Sequence, residues 1–281
     1  MEVNKATPPA WLNNAHPNYE RWKRAREISE ERGKFVESVL SKVITLTGLH
    51  ILDLGSGEGG TSKILSEKNE VVSFDINKER LLQQENAQYQ QVLGDSEHLP
   101  FSSASFDIII MQDVIEHLQS KRKIISSLHT LLKKNGIIYL STPNKFSIFN
   151  VISDPHWGFP FISLLKRESI QKYFLGVFRK TEAARKDIAE LSSLKNLLSL
   201  FEDMFEVRLF TSHAVKELFN GHKGIVWSNF HLKLVRATNK LKIGRLITLM
   251  ANDKPGLINN FFTPTFYIGN TIFQHVLEIF Q

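Results

Sequence analysis

Short apolar runs alternate with amphipathic segments along residues 45–145 of this 281-residue chain. The runs HILDLG, VVSFDI, QVLGD, FDIIIMQDV and IIYLST predict five strands. Between them, apolar side chains recur at helical spacing in 61–68, 77–89 and 121–134, and FDIIIMQDV is expected to enter a further helix near Val114. Apolar strands separated by helices indicate a parallel sheet with helices on both faces.

The segments on either side of this alternation follow other patterns. Residues 1–18 contain three prolines and are expected to be irregular, whereas 18–47 has apolar side chains at helical spacing. After residue 145 the regular patterns are a helix at 189–205, a strand EVRLFT, a basic and partly helical stretch at 213–260, a final strand TPTFYIGNTI and a helix at 271–281. Pro264 predicts an edge position for the final strand, because proline cannot donate to a neighbouring strand.

Composition and charge narrow the classes of protein that fit. The chain has no cysteine, which excludes disulfides, cysteine-ligated zinc and a cysteine nucleophile. It shows neither a signal-peptide pattern nor an apolar run of about 18 residues, so we expect a soluble, cytoplasmic protein. Residues 161–281 have 17 Lys and Arg against 10 Asp and Glu, whereas 1–160 has 18 against 19. The surplus of basic residues in 161–281 indicates either an anionic partner or an ordinary solvated surface.

The stretch HILDLGSGEGGTSKIL leads the first strand into a glycine-rich turn. From Gly55 it has the spacing G-x-G-x-x-G, and Asp75 follows 20 residues later, so the pattern formally fits a dinucleotide site. Asp53 and Glu58, however, would repel a pyrophosphate. A carboxylate at that position instead favours a ligand that carries an ammonium group. An NAD-dependent reductase is therefore disfavoured.

Five motifs in order, ILDLGSGEGG, VVSFDIN, GDSEHLPFSSASFD, DVIEHL and LLKKNGIIYLSTPN, resemble the class I S-adenosylmethionine-dependent methyltransferases. The third motif is similar to the ubiquinone-biosynthesis branch. The resemblance implies a Rossmann-like α/β fold with a doubly wound, mostly parallel seven-stranded sheet, an N-terminal helical arm and a helical insertion before the last strand. It further implies an arm and helix at 1–44, a cofactor-binding core at 45–145 and an acceptor-side region at 146–281.

The resemblance also implies roles for the glycine turn, with S-adenosylmethionine as the cofactor. Backbone amides around Gly55, Ser56, Gly57 and Gly59 are expected to hold the amino-acid end of the cofactor, where glycine permits close approach. Asp53 is expected to help hold the ammonium group, directly or through water.

The ends of the next three strands are expected to complete the cofactor site. Asp75 would accept hydrogen bonds from both ribose hydroxyls, with Ile76 beside it. Asp95 and Ser96 would border the adenine, the Asp95 carboxylate accepting from its amino group. Gln112 lies where the fourth strand opens onto the cofactor.

Methyl transfer from a sulfonium is a direct displacement, so the main task of the protein is to align the reacting atoms. A hydroxyl acceptor also requires a base. The candidates are His117, His156 and Asp113, with Glu116 beside them, and the imidazole pKa suits this role near neutrality. His98, in the loop SEHLPF, is expected to be structural or exposed.

The motif DVIEH also leaves a metal-dependent alternative open. It places Asp113 and Glu116 at i and i+3, on one face of the expected helix. Together with His117 and His156 they resemble the divalent-ion site of small-RNA terminal-ribose 2′-O-methyltransferases. The chain departs from that pattern, because it has Asp where the longer Glu is usual and lacks a His-rich stretch around 156. No metal is therefore assigned.

The segment that follows the core resembles methyltransferases of cell-surface glycan and lipid-linked pathways. Trp157, Phe159 and Phe161 are candidates either to stack on a sugar or isoprenoid or to form plain core. The basic stretch at 213–250 and the C-terminal amphipathic helix are candidates either to rest on the inner face of an anionic membrane or to pack against the sheet.

The leading interpretation is an enzyme that methylates a hydroxyl of a small molecule, glycan or lipid-linked intermediate. An RNA ribose 2′-O-methyltransferase with a divalent metal is less favoured, since no known RNA-binding module is present. A catalytically silent scaffold is disfavoured by the intact glycine turn and Asp75.

Overall fold

A computed structural model describes residues 13–84, 87–185, 187–225 and 229–272. The described residues include seven strands of one sheet: β1 His50–Leu54, β2 Glu70–Asp75, β3 Gln90–Leu93, β4 Phe106–Gln112, β5 Leu132–Pro143, β6 Phe205–Leu209 and β7 Thr265–Ile272. Their order is β3-β2-β1-β4-β5-β7-β6. The first five strands pair in parallel, and β7 is antiparallel to both β5 and β6. The predicted doubly wound, mostly parallel seven-stranded sheet is confirmed.

Helices flank the sheet. The described α-helical segments are α1 Tyr19–Glu27, α2 Ser29–Leu40, α3 Gly60–Ser66, α4 Lys78–Leu82, α5 Lys121–Leu131, α6 Ile148–Ile152, α7 Arg167–Ser169, α8 Gly176–Phe178, α9 Leu194–Leu198, α10 Thr211–Phe219, α11 Asn229–Lys240 and α12 Gly244–Met250. A π-helix at Ile170–Leu175 joins α7 to α8, and another at Ile258–Phe262 precedes β7. Because α10, α11 and α12 lie between β6 and β7, the predicted helical insertion before the last strand is confirmed.

The central strand β4 shows why the strands of the core lack polar alternation. Ile109 and Met111 pack into one hydrophobic cluster and Ile108 and Ile110 into another, and all four side chains are fully buried. A strand covered by helices on both faces buries successive side chains on opposite sides. Each such side chain contributes about 1.5–3 kcal/mol on burial. The apolar run thus anchors the strand whose end carries Gln112.

The position of the last strand corrects one prediction. β7 lies between β5 and β6 and is not an edge strand. Pro264 stands one residue before the strand, so its missing N–H removes no bond from the ladder. Its carbonyl accepts hydrogen bonds from Asn144 N at 3.0 Å and Asn150 Nδ2 at 2.7 Å. Pro264 is therefore the last residue before β7, and its missing N–H does not weaken the sheet.

Two predicted helices are much shorter in the structure. The segment 77–89 yields only α4, and beyond it Gln84 is buried, where its side chain accepts from Ser73 Oγ at 2.8 Å and donates to Gly57 O at 2.7 Å. These contacts draw the chain out of the helix. The segment 189–205 yields only α9.

The chain ends add two observations. The predicted helix at 271–281 is not a helix at Thr271 and Ile272, which belong to β7, and its remainder lies outside the described residues. Among the described helices, none combines the length and the hydropathy that a bilayer crossing would need.

Candidate functional site

The turn after β1 is built on glycines with left-handed backbone angles. Gly55, Gly57 and Gly59 have φ of +73°, +56° and +74°. A Cβ on Gly55 would lie 2.4 Å from a methyl group of Val114, so packing also requires glycine there. A Cβ on Gly57 would meet only a guanidinium nitrogen of Arg80, at 3.7 Å. The backbone at Gly57 therefore borders free space that a ligand can approach closely.

Asp75 closes this turn from the end of β2. Its Oδ2 accepts from Gly57 N at 2.8 Å, and its Oδ1 accepts from Asn77 N at 2.7 Å. Each carboxylate oxygen keeps a second acceptor position, so the side chain can still receive ribose hydroxyls. Ile76 beside it is 70% exposed, which leaves an apolar surface for a flat ring. This arrangement fits the predicted cofactor roles of both residues.

Asp53 lies beneath the turn, with 2% of its surface exposed. Its Oδ2 accepts from Ser62 Oγ at 2.7 Å. Burial, together with the charge of Asp75, raises the pKa of the Asp53 carboxyl to about 6 against the opposing hydrogen bond from Ser62. At neutral pH most of the carboxyl is ionised, as a partner for an ammonium group must be.

Other polar side chains near the turn are engaged within the protein. Ser56 Oγ is hydrogen-bonded to Ser73 Oγ at 2.6 Å, and the Ser56 N–H donates to Phe74 O at 3.1 Å. Gln112, at the end of β4, accepts from Thr61 Oγ1 through Oε1 at 2.5 Å. These bonds fix the side chains of Ser56 and Gln112. The predicted cofactor roles of both residues stay predictions.

The loop after β3 is organised locally. The exposed Asp95 side chain accepts from Glu97 N at 2.9 Å, and the Asp95 carbonyl accepts from His98 N at 2.9 Å. The predicted adenine contacts of Asp95 and Ser96 stay predictions. His98 is exposed, as expected.

Residues 114–118 correct the prediction of a helix after β4. They form a turn, and Asp113 before them has a left-handed φ of +55°. The Asp113 carboxylate pairs with the guanidinium of Arg32 from α2, while its N–H donates to Ser141 O at 2.9 Å. Because the chain reverses here, Asp113 and Glu116 do not share a helix face, and the prediction that they do is wrong.

Glu116 is completely buried beside β5. Its Oε2 accepts from Thr142 Oγ1 at 2.9 Å. Its Oε1 has no hydrogen-bond partner among the described residues and lies 3.8 Å from His156 Nε2. Burial raises the pKa of this carboxyl to about 8, with the charge of Asp113 adding to the effect. A buried carboxyl oxygen without a partner is costly, so it marks a position that a ligand can complete.

Two imidazoles face this carboxyl. The rings of His117 and His156 have centroids 5.3 Å apart, and His117 Nδ1 lies 2.9 Å from Asp187 O. That contact requires a hydrogen on Nδ1, so Nε2 of His117 carries the lone pair. Burial lowers the pKa of His117 and lowers that of His156 well below the usual value. Burial therefore favours the neutral form of both rings.

These three side chains form the one group among the described residues with the spacing of a metal site. Single ligand atoms of Glu116, His117 and His156 all lie within 4.8 Å of one another. Two imidazoles and a carboxylate suit Zn²⁺, Mn²⁺ or Fe²⁺. Asp113 is turned towards Arg32, so the four-residue set that the RNA enzymes suggest is only partly assembled.

An apolar cavity of about 310 Å³ is lined mainly by segments that follow β5. Its lining is almost wholly apolar and comes from α6, α10, α12 and the segment before β7; it includes Phe149, Leu218, Phe219, Ile247, Ile258 and Phe262. A small pocket beside it contains Gln112 and Asp113, and Ile225 and Thr265 line both spaces. The cavity therefore adjoins the end of β4.

The aromatic residues predicted to stack on an acceptor divide into two groups. Trp157 is buried against Phe174, so the core interpretation fits it. Phe159 and Phe161 are exposed.

Sequence reasoning missed several residues that hold the site in place. Arg32 pairs with Asp113 from 81 positions away, and nothing in the local sequence marks it. Asp187 orients His117 through its carbonyl, which any residue would supply. Thr142 could have been predicted, since it lies at the end of β5 in the motif STPN and strand ends line such sites.

Comparisons with known proteins agree with this geometry. A family model described as a methyltransferase domain matches residues 52–140. A ubiquinone biosynthesis O-methyltransferase of Coxiella burnetii is 32% identical over 127 residues, which is 42% of this chain and 52% of that protein. A sarcosine/dimethylglycine N-methyltransferase of Aphanothece halophytica is 28% identical over 109 residues, 34% of this chain and 38% of that protein. The chain thus spans about half the length, or less, of the curated relatives it matches.

Solved structures show the same fold. A SAM-dependent methyltransferase from Thermotoga maritima superposes with a TM-score of 0.52 at 15% identity and covers 90% of this chain and 94% of its own. One from Mesorhizobium loti gives a TM-score of 0.51 at 13% identity and covers 84% and 96%. Residues 52–140 thus match a methyltransferase domain, and the motifs, the sheet and the relatives are those of class I methyltransferases, whose cofactor is S-adenosylmethionine.

Proposed function

We propose that the protein transfers the methyl group of S-adenosylmethionine to a hydroxyl oxygen of an acceptor with a long apolar part, such as a lipid-linked intermediate in the cytoplasm. The observation that carries this proposal is the apolar cavity beside the end of β4. Its volume of about 310 Å³ lies within the range of ligand pockets. An engineered apolar cavity of about 150 Å³ already binds benzene, so this one has room for considerably more hydrocarbon.

The cofactor side of the site fits this role. S-adenosylmethionine, when bound, would supply a methyl group on a positively charged sulfur; as the acceptor oxygen bonds to the methyl carbon, the carbon–sulfur bond breaks and its electron pair stays on the sulfur. Asp53 attracts the ammonium group, and Asp75 accepts from the ribose while it holds Gly57 in place. The left-handed glycine turn leaves room for the amino-acid end to approach the backbone closely. These contacts orient the donor for an in-line displacement.

The acceptor side supplies a base. A hydroxyl becomes a good nucleophile only when its proton is removed, and general bases contribute about 10²–10⁴ in rate. His156 and His117 are both neutral near pH 7, since burial lowers the pKa of each. Because Asp187 O orients His117, its free nitrogen has a defined direction. The curated relatives include both an O- and an N-methyltransferase, and this pair of neutral imidazoles favours oxygen.

Two measurements test the proposal. Titration calorimetry with S-adenosylmethionine, its demethylated product and NADH should give binding of the first two alone, lost in Asp75→Ala. The protein is then incubated with methyl-labelled S-adenosylmethionine and a cell extract separated into lipid, water-soluble and RNA fractions. Label in the lipid fraction, absent with Asp75→Ala, is the expected result. Binding of none of the three ligands by the folded protein would instead indicate a scaffold.

The group Glu116, His117 and His156 favours a second candidate, metal-assisted transfer to a ribose hydroxyl of RNA. Its support is the buried, unpartnered Oε1 of Glu116 within 4.8 Å of two imidazoles. In this case label enters the RNA fraction, activity stops after chelation and returns with Mn²⁺ or Zn²⁺, and binding weakens steeply with salt. Activity unchanged by chelation would exclude the metal.

A further inference from the structure

Six large apolar side chains are exposed in and after α12. We call this set the apolar rim, and its members are Leu246, Leu249, Met250, Leu257, Phe261 and Phe262. Leu249 and Leu257 are 76% and 75% exposed. Single exposed leucines are ordinary on protein surfaces, but a concentration of large apolar side chains in one short stretch marks an interaction surface.

Helix α12 carries apolar side chains on two faces. Leu246, Leu249 and Met250 stand at i, i+3 and i+4 and form an outward stripe. On the inner side, Gly244 packs so closely on α10 that a Cβ there would lie 2.7 Å from the ring of Phe219. A surface helix of a soluble protein normally keeps its outward face polar, so the outward stripe of α12 calls for a partner of its own.

The neighbours of the rim are basic. Residues 229–262 contain six Lys and Arg against one acidic residue, Asp253. The six are exposed, and they are Lys233, Arg236, Lys240, Lys242, Arg245 and Lys254. Asp253 accepts from Ser212 N at 2.8 Å, at the start of α10. Exposed apolar side chains with basic neighbours are the pattern of segments that lie on anionic bilayers.

Part of the rim also lines the cavity. Met250 and Phe262 are both exposed members of the rim and lining residues of the cavity, which Ile247 and Ile258 line from the same segment. An apolar chain can therefore pass from a bilayer into the cavity without crossing water.

Other partners fit this surface less well. Nucleic-acid interfaces are polar and read bases by stacking, whereas four of the six rim residues are aliphatic. A second copy related by a twofold axis would bring two strongly basic segments together, which costs energy.

We infer that the apolar rim docks the protein onto an anionic lipid bilayer, with the mouth of the cavity against the membrane. Docking itself requires no methyl transfer. The entry of an apolar acceptor through the mouth rests on the proposed function.

Vesicle flotation tests the docking. The protein should float with vesicles of phosphatidylcholine mixed with phosphatidylglycerol and much less with phosphatidylcholine alone. Raising the salt from about 0.1 M to about 1 M shortens the Debye length from about 10 Å to about 3 Å and should weaken the binding. The triple variant Lys240→Glu/Lys242→Glu/Arg245→Glu should lower the partition coefficient about 100-fold. Its control reverses three exposed lysines elsewhere, Lys42, Lys68 and Lys195.

A matched pair of leucine variants tests the apolar contribution. Leu249→Glu should reduce partitioning at least about tenfold. Leu82→Glu, at a leucine of α4 that is 67% exposed, should leave it unchanged. S-adenosylmethionine binding retained in every variant shows that the fold is kept.

Three outcomes would overturn the inference. The protein binds both kinds of vesicle equally, or Leu249→Glu and Leu82→Glu have the same partition coefficient. In the third, the protein does not bind vesicles but forms a dimer that Leu249→Glu dissociates. If the unmodified protein does not bind S-adenosylmethionine, the proposed function is overturned, whereas the inference about docking is not affected.

Discussion

Residues 50–75 and residues 113–156 both contribute to the site at the ends of the strands, but they are assembled in different ways. In the first region, Asp75 holds Gly57 and Asp53 accepts from Ser62, so each contact spans fewer than about thirty residues. Both aspartates are hydrogen-bonded within the protein.

The second region depends on distant partners. Asp113 pairs with a guanidinium 81 positions earlier, and His117 is oriented by a carbonyl 70 positions later. It contains a buried carboxyl oxygen without a partner and adjoins a large apolar cavity. The contrast indicates a preformed cofactor side and an acceptor side whose chemistry is completed by what binds.

The largest expected effect separates the two regions. His156→Ala should lower kcat for the labelled lipid product about 10³-fold, because the base is lost. Affinity for S-adenosylmethionine, measured by calorimetry, should not change. The exposed His98→Ala is the control and should keep full activity. A variant that loses cofactor affinity and activity together would show that the regions are not independent.

The next effect concerns the link between the regions. Arg32→Met removes the partner of the Asp113 carboxylate, which is only 14% exposed, and should lower the free energy of unfolding by about 3 kcal/mol. Chemical denaturation measures this change.

The double variant Arg32→Met/Asp113→Asn serves as its control and should recover part of the loss, since no unpaired charge remains. If the single variant is as stable as the unmodified protein, the pair does not hold α2 to β4.

A somewhat smaller effect is expected within the cofactor side. Asp75→Ala removes both the ribose acceptor and the anchor of Gly57, and should weaken S-adenosylmethionine binding about 100-fold, as charged hydrogen bonds contribute about 1.5–3 kcal/mol each. Calorimetry measures the affinity. Asp95→Ala, at an exposed carboxylate, should weaken S-adenosylmethionine binding far less. If both variants lose the same affinity, Asp75 does not contribute more to binding than Asp95.

The smallest effect is a pH dependence of stability. The folded protein holds the Asp53 proton up to about pH 6, whereas the unfolded chain releases it near pH 4, so the free energy of unfolding falls as the pH rises through this window. About one pH unit of this window lies above pH 5, so the loss between pH 5 and pH 7.5 is about 1.4 kcal/mol, or about 3–5 °C in Tm.

Asp53→Asn should remove this part of the decline. The measurement is the difference in Tm between the variant and the unmodified protein at pH 5 and at pH 7.5, which cancels other groups. A difference that does not change with pH would show that Asp53 is not buried as a carboxyl.

Much of the cofactor side could be predicted because its signals are local. A strand end, a glycine turn and an acid one strand further on are adjacent in sequence and are brought to one edge by parallel pairing alone. The prediction of a helix after β4 failed because the left-handed φ of +55° at Asp113 is stabilised by Arg32, a residue that no local pattern connects to it.

The edge prediction for β7 failed for a related reason. Pro264 was placed correctly as a residue that cannot donate to a ladder, but it lies just outside the strand, and only the fold decides which strands flank β7. From its sequence, α12 likewise resembles an ordinary amphipathic helix. Only the packing of Gly244 against α10 shows which face lies inward and that the apolar stripe is exposed.

By itself, the sequence determined the parallel core, the glycine turn and the acids at the strand ends beside it, because periodicity and strand-end chemistry act over a few residues. Only the tertiary structure decided that Glu116 meets two imidazoles, that Arg32 holds Asp113, and that a cavity opens among exposed apolar side chains. Those features arise from packing between segments far apart in the chain, where the burial of one residue depends on all of its neighbours.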